Sequence, residues 1–248
     1  MDGTKAIHDS CRIDAAGQPT FDRISKNLRI LKNAQVEYNI LCVVNQTIAS
    51  QPEAVFHALK EHVYMQFIPC LDGFDGVKNA WSLNPATYGN FLIRTYDLYE
   101  QAYYAGHPVS IRTFDNWISM LLGYPPESCA MSGRCGNYFL IEADGSVYPC
   151  DFYVLDQWKL GNIRDASFFK LDKSPLAKSF REASYPLPDT CYACPYLRLC
   201  RGGCKRDREP IFTEKPSCNR LCEGHKLFFS ARLERLNALA QHIGKKRC

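Results

Sequence analysis

The spacing of the cysteines constrains this chain more than any other feature. Cys191, Cys194, Cys200 and Cys204 stand as C-x2-C-x5-C-x3-C. Two residues between thiols let one tight turn aim both sulfurs at the same metal ion or cluster. Gly202-Gly203 before Cys204 permit the positive φ and the close backbone approach that such a knuckle needs. Cys129, Cys135, Cys150 and Cys222 bring the total to eight thiols, enough for two four-cysteine sites. Adjacency in sequence does not partition the eight, because a cysteine close to three others can serve the neighbouring site, as in two-cluster ferredoxins. On spacing alone, iron–sulfur clusters and structural zinc ions both remain open.

Composition narrows the setting. There are 13 cysteines in 248 residues, an odd number and a density below the roughly 8–10% of disulfide scaffolds. The opening MDGTKAIHDSCRIDAAG has no basic stretch followed by an apolar one. A reducing, cytoplasmic setting is therefore expected, in which closely spaced cysteines hold metal or do redox chemistry. Hydrophobic residues at 46% and charged residues at 23% are globular values. No apolar run approaches the ~18 residues of a membrane span. The net charge of +4 is too mild to argue for nucleic acid or an anionic membrane.

The first half reads as alternating helices and strands. Helices are expected over 22–34, 52–61, 85–104 and 113–122, and strands over 37–44, 64–69 and 109–112. This α/β order implies parallel strands with crossover helices. Three strands give little area to cover two helical faces, so the sheet is expected to be part of a larger one or to pair with another chain. The turn-rich Gly123-Tyr124-Pro125-Pro126 and the change in cysteine density place a boundary there, giving expected domains 1–123 and 124–248. Beyond it, 137–142, Asp144-Gly145 and 146–148 read as a β-hairpin. Residues 223–243, with apolar Phe229, Leu233, Leu236, Ala240 and Ile243, read as an amphipathic helix.

Two motifs together resemble a known family. Cys135-x9-Gly145-x4-Cys150, then C-x2-C-x5-C-x3-C and the distant Cys222, resembles the SPASM domain of radical S-adenosylmethionine (SAM) enzymes. The run GSVYPCDFYV from Gly145, with LGNI from Leu160 behind it, resembles the anaerobic sulfatase-maturating enzymes. Met1-Asp2-Gly3, His8-Asp9 and Arg12 resemble the end of that family's fourth barrel strand, and YNILCVV and QFIPCLD resemble its later strands. The resemblance implies the C-terminal part of a partial (β/α)6 barrel followed by an irregular, cysteine-rich SPASM domain.

It also implies an activity: oxidation of a sulfatase cysteine or serine to Cα-formylglycine by radical SAM chemistry. One auxiliary [4Fe-4S] cluster would be held by Cys129, Cys135, Cys150 and Cys204. The other would be held by Cys191, Cys194, Cys200 and Cys222, with Cys218 as an alternative to Cys222. Asp151 matches the family's general base, although on its own an aspartate here is a turn residue bonding local backbone. A base so placed would be partly dehydrated and raised from ~3.9. Arg12 and Leu71 match SAM contacts, a guanidinium on the methionyl carboxylate and an apolar side chain on the adenosine.

The family's C-x3-C-x2-C motif, which binds the third cluster and generates the radical, is not among these residues; Cys11, Cys42 and Cys70 are spaced too widely to replace it. The expectation is a truncated or split enzyme, unable to cleave SAM by itself. Its partners would be an N-terminal radical-SAM half, a sulfatase peptide or unfolded sulfatase, and a flavodoxin- or ferredoxin-like reductant. The alternatives are another SPASM peptide maturase, or a non-catalytic electron-transfer or zinc module. Arg198, Arg201, Lys205, Arg206 and Arg208, with Asp207 and Glu209 between them, read as a mixed solvated face. Cys11, Cys42, Cys70 and Cys248 read as free thiols, and His225 as a helix residue.

Overall fold

Five consecutive residues, Ile40-Leu-Cys-Val-Val44, are β-prone or apolar, and they form β1 (Ile40–Val44) at the edge of a three-stranded parallel sheet. The computed structural model describes residues 1–62, 64–208 and 216–247; Glu209 and Cys248 lie outside them. Before β1 come α1 (Lys5–Asp9) and α2 (Phe21–Asn33). After it come α3 (Gln46–Ala49), α4 (Pro52–Leu59), β2 (Tyr64–Pro69), α5 (Pro85–Tyr104), β3 (Ser110–Ile111) and α6 (Arg112–Leu121). The sheet order is β1-β2-β3, with Cys42 opposite Phe67 and Met65 opposite Ile111.

One face of this sheet makes the core. Cys42, Val44, Met65, Phe67 and Ile111 are buried with Val55, Phe56 and Leu59 of α4 and Phe91, Leu92 and Tyr96 of α5. Phe67 meets the edge of Phe91 at 5.0 Å. Leu41 on the other face of β1 is 48% exposed, so the strand alternates rather than being buried on both sides. The apolar side of α2 (Phe21, Ile24, Leu28 and Leu31) is only half-buried, with no residue of that helix fully buried among those described. The start of α5 follows from local chemistry: Pro85 fits the first helical position, and the Asn84 carboxamide oxygen accepts from the N–H groups of Ala86 at 2.9 Å and Thr87 at 3.2 Å.

From Pro125 the elements shorten. They are α7 (Cys129–Ser132), β4 (Leu140–Ile141), β5 (Ser146–Tyr148), β6 (Gly161–Asn162), α8 (Phe168–Asp172), α9 (Pro175–Glu182), α10 (Asp189–Tyr192) and α11 (Leu197–Cys200). Single 3-10 turns at Asp151–Tyr153, Asp156–Trp158 and Lys205–Arg208 lie among them. β4, β5 and β6 form an antiparallel sheet in that order. Gly145 closes the β4–β5 turn at φ 85°, and the Asp144 carboxylate accepts from Ser146 N at 2.8 Å and Oγ at 2.7 Å. The strand entering this turn is Leu140–Ile141, much shorter than the 137–142 read from the sequence.

The chain ends in α12 (Cys222–Arg247). The molecule forms two compact units, Met1–Tyr124 with Leu221–Cys248, and Pro125–Arg220. The expected domain 124–248 therefore loses its last helix to the first unit. The reason is packing. Phe228 of α12 stacks on Trp117 of α6 at 4.9 Å, Phe229 meets the same ring at 4.9 Å, and Tyr96 of α5 meets Phe228 at 5.8 Å. Such pairs contribute about 0.5–1.5 kcal/mol each beyond area burial. Arg232 forks onto Asp97 at 2.8 and 2.9 Å. The buried face of α12 includes Phe228, Phe229, Leu236, Leu239 and Ala240, whereas Leu233 and Ile243 are only half-buried. Among the described residues no helix is long and apolar enough to cross a membrane.

Candidate iron–sulfur sites

Three thiols of the second unit, those of Cys129, Cys135 and Cys150, interact electrostatically with Cys204. Ser128 caps α7 by accepting from Met131 N at 3.3 Å, which sets Cys129 on the first turn. Gly133 follows at φ 70°, where a Cβ would lie 1.9 Å from the Arg201 carbonyl oxygen, so no other residue fits. Cys135 is fixed by its N–H, donated to the buried Ser184 Oγ at 2.8 Å. Cys150 follows β5, and Cys204 ends the glycine turn.

The electrostatics tie the four together. Burial pushes the Cys204 thiol up to about 12, helped by Asp207, Cys129 and Cys135. Burial likewise pushes Cys150 to about 12, with Asp151 and Cys204 adding to it. Burial raises Cys135, the Ser184 hydroxyl opposes the rise, Cys129 adds to it, and Lys205 and Arg208 pull it back. Cys129 is exposed and the other three are half-buried; thiols that feel one another in this way match a polythiolate donor set, because a metal would release their protons. Two N–H groups already serve the sulfurs: Arg206 N donates to Cys204 Sγ at 3.4 Å, and Phe152 N lowers Cys150. Such hydrogen bonds accompany cluster ligation. Among the described residues, no three His, Cys, Asp or Glu side chains surround a single-ion position.

The second knuckle is built by turns. Cys191 lies in α10, Cys194 N donates to the Cys191 carbonyl at 3.1 Å, and Cys200 ends α11. Arg201, Gly202 and Gly203 all have positive φ, 50°, 80° and 69°. At Gly203 a Cβ would lie 2.3 Å from Asn219 Nδ2. Burial raises Cys200, the Gly202 N–H opposes this, and Cys194 and Cys218 add to it. Cys218 is exposed, with Sγ 3.4 Å from Thr190 Oγ1. Cys222 is the first residue of α12. The twelve described cysteines are all free thiols, and Cys42 is the one buried in the parallel-sheet core.

Asp151 opens a 3-10 turn and is solvent-exposed, so the partial dehydration expected of it is not supplied by its surroundings in this chain. Its Oδ1 accepts from Cys150 Sγ at 3.3 Å. Arg12 Nε donates to Asp2 Oδ2 at 2.5 Å, while Asp2 Oδ1 accepts from Val43 N at 2.8 Å. Leu71 lies two residues beyond β2. Both therefore belong to the carboxyl edge of the parallel sheet, where α/β folds bind ligands. The sequence placed Asp2 in a family-like run without a role; it is 1% exposed and holds the guanidinium.

The cationic run corrects a second expectation. Lys205, Arg206 and Arg208 are buried, at 7%, 5% and 6% exposure, rather than solvated. Arg208 donates to the carbonyls of Pro186, Gly133 and Ser184, and Asp207 pairs with Arg220 at 3.3 Å. Lys205 Nζ lies 4.2 Å from the Tyr153 ring centroid, 5.4 Å from Phe180 and 5.8 Å from Trp158. Ring quadrupoles return about 2 kcal/mol to a desolvated cation, less than the several kcal/mol its burial costs. The signal in the sequence was the step of one residue from Cys204.

Comparison with known proteins now decides the family. A family model described as an iron–sulfur cluster-binding domain, SPASM, matches residues 129–195. A cysteine-type anaerobic sulfatase-maturating enzyme of Clostridium perfringens (strain 13 / Type A) is 38% identical, across 98% of this chain and 67% of its own length. The chain belongs to the anaerobic sulfatase-maturating enzymes. A cysteine-type member from Clostridium novyi (strain NT) is 41% identical over 98% of this chain and 66% of its own length. A solved structure described as hexahistidine-tagged anSMEcpe with bound AdoMet superposes with a TM-score of 0.94 at 38% identity, covering 98% of this chain and 65% of that one. Another, of native anSMEcpe, holds AdoMet and the Kp18Cys peptide. The chain is thus mixed α/β with a SPASM iron–sulfur domain, and it spans about two thirds of the length of these sulfatase-maturating relatives.

Proposed function

We propose that this chain supplies the auxiliary clusters and the general base for oxidation of a sulfatase cysteine or serine to Cα-formylglycine in the cytoplasm, as the carboxyl part of a partial (β/α)6 radical-SAM barrel with its SPASM domain. The observation that carries the reading is the SPASM match over residues 129–195, in a chain where Cys129 and Cys135 act on Cys204, Cys204 acts on Cys150, and a carboxylate stands next to Cys150. Cys191, Cys194, Cys200 and Cys222 form the second set by their place in the family motif. When bound, the clusters supply a path for the electron that leaves the substrate.

The residues of this chain then have separate tasks. Once Cys150 is a thiolate it no longer donates to Asp151, and Oδ1 is open to accept the thiol or hydroxyl proton of a substrate side chain. Arg12, held by Asp2, would grip the carboxylate of SAM, and Leu71 would pack on its adenosine. The radical itself needs a C-x3-C-x2-C segment, which these 248 residues do not contain, and a low-potential flavodoxin- or ferredoxin-like reductant.

Metal analysis of anaerobically purified and reconstituted protein tests the reading. About eight iron and eight sulfide per chain, with little zinc, are expected for two four-iron clusters. About two zinc without sulfide would make the SPASM region a structural module and overturn the enzymatic role.

A further inference from the structure

Thr20 stands at the N-terminus of α2, yet its hydroxyl does not cap that helix. An N-cap threonine ordinarily accepts from an N–H of the first turn. Here Asp9 Oδ1 serves the helix start, accepting from Thr20 N at 3.1 Å and Phe21 N at 2.9 Å. The Thr20 hydroxyl donates instead to the Arg12 carbonyl at 2.7 Å and lies 3.0 Å from His8 Nε2. His8 Nδ1 accepts from Asp2 N at 3.2 Å, so the ring proton sits on Nε2 and is donated to Thr20 Oγ1.

Arg12 is thereby held at its backbone as well as its side chain. Its N–H donates to the His8 carbonyl at 2.8 Å, and its carbonyl takes the Thr20 hydroxyl. Its Nε is held by Asp2, which is itself anchored on Val43 N of β1. Asp2, His8 and Thr20 are all buried, whereas the Arg12 side chain is 47% exposed and its two Nη groups make no hydrogen bond among the described residues. Burying polar groups costs free energy even when each finds a partner, and apolar side chains would fill the same space more cheaply. Three such groups converging on one half-exposed guanidinium serve its direction.

We propose that Thr20 and His8 are positioning residues that aim the open Nη edge of Arg12 at the carboxylate of S-adenosylmethionine. The inference rests on the reading of Arg12 as the group that takes that carboxylate. A guanidinium grips a carboxylate through two parallel N–H bonds, and the fork fails when its plane tilts. Asp2 fixes one nitrogen but leaves the plane free to turn about that contact. The Thr20–His8 pair fixes the backbone from which the side chain extends, which removes that freedom.

The test uses the full chain, reconstituted anaerobically as wild type, Thr20→Val, Thr20→Ser and His8→Phe. Isothermal titration calorimetry compares S-adenosylmethionine with its decarboxylated form, which keeps the adenosine, the sulfonium and the amine. Wild type is expected to prefer the carboxylate-bearing ligand by about tenfold or more, the size of a charge-assisted pair. In Thr20→Val and His8→Phe the preference falls to about threefold or less through weaker binding of S-adenosylmethionine alone. Affinity for the decarboxylated ligand stays, and Thr20→Ser, which keeps the hydroxyl, keeps the preference. An undiminished preference in both Thr20→Val and His8→Phe would overturn the positioning role and leave the reading of Arg12 intact. So would an equal loss of both ligands from both variants, which would assign the pair to the fold of the loop rather than to the aim of Arg12. A wild-type chain that binds neither ligand, or shows no preference, would overturn the reading of Arg12 and this role with it.

Discussion

His225 shows how one side chain sets a pH limit on this molecule. Its ring lies against the edges of Tyr88 and Trp117, at centroid distances of 5.8 and 6.4 Å. Nδ1 is buried without a hydrogen-bond partner among the described residues. Burial lowers its pKa to about 4 from the ordinary 6.5. Below pH 6.5 the unfolded chain takes up a proton that the folded chain refuses until about pH 4. Stability therefore falls as pH drops through that window and levels off beneath it, by at most about 3 kcal/mol. His225→Phe keeps a ring in the pocket and removes the proton. The expected outcome in denaturant titrations is that the variant loses less stability than wild type between pH 7 and 4.5. Equal losses in the two proteins would mean that the ring is not desolvated. The sequence identified His225 as a helix residue, but the pocket is made by Tyr88 and Trp117, more than 100 positions away in the chain. The cation run failed to be read for the same reason: alternating charge after Cys204 looks solvated until Tyr153, Trp158 and Phe180 are brought over Lys205.

Among the elements, the crossing of α5 and α12 depends on two glycines that helix propensity alone would discourage. A Cβ on Gly89 would lie 2.8 Å from the Gly224 carbonyl oxygen, and one on Gly224 would lie 2.3 Å from the Pro85 carbonyl oxygen. Backbone cannot yield as a flexible side chain would. Alanine normally gains about 1 kcal/mol over glycine inside a helix, yet overpacking costs about 1–3 kcal/mol. Gly224→Ala is therefore expected to destabilise the first unit by about 1–2 kcal/mol, whereas Gly244→Ala, which would meet only a Leu122 methyl at 3.0 Å, costs less. Thermal melts of the two variants check the order, and a Gly224→Ala protein as stable as wild type would mean that the helices separate freely. Elements whose ends are written locally were legible: Pro85 after Asn84 starts α5, and the alternation of YMQFIP gives β2 with the expected bounds. α1 was missed because its only start signal is Thr4, whose Oγ accepts from Ile7 N at 3.4 Å. β4 was read too long because two strand residues pair where four in a row, Tyr138 to Ile141, were apolar enough to do so. The place of α12 was hidden as well, since Phe228 and Leu239 complete a buried face that the stripe of Phe229, Leu233, Leu236, Ala240 and Ile243 only partly follows.

For the whole molecule, the two units are expected to differ in what holds them. The first has helices of 20 and 26 residues and a core of Tyr96, Phe114, Trp117, Phe228 and Phe229. The second has strands of two or three residues and helices no longer than eight. Such short elements bury little apolar area, and small domains of this kind lean on metal for stability. The thiols make the dependence sharper, because Cys150 and Cys204 are half-buried and their surroundings favour the protonated thiol over the thiolate until metal binds. Removing iron from the reconstituted chain with a chelator under anaerobic conditions should then act unevenly. Hydrogen exchange read by mass spectrometry is expected to accelerate across residues 125–220, while amides of α5, the buried strands β1 and β2, and the middle of α12 keep their protection. Near-ultraviolet circular dichroism from Trp117 should persist. Uniform loss of protection along the chain would instead mean that the aromatic core also depends on the clusters. Unchanged exchange in 125–220 would mean that the turn network around Gly133, Gly202 and Gly203 is sufficient by itself. The expected asymmetry follows from the same sequence feature that constrains the fold: where the cysteines are dense, the chain has given up long elements, and bound iron takes the place of a larger core.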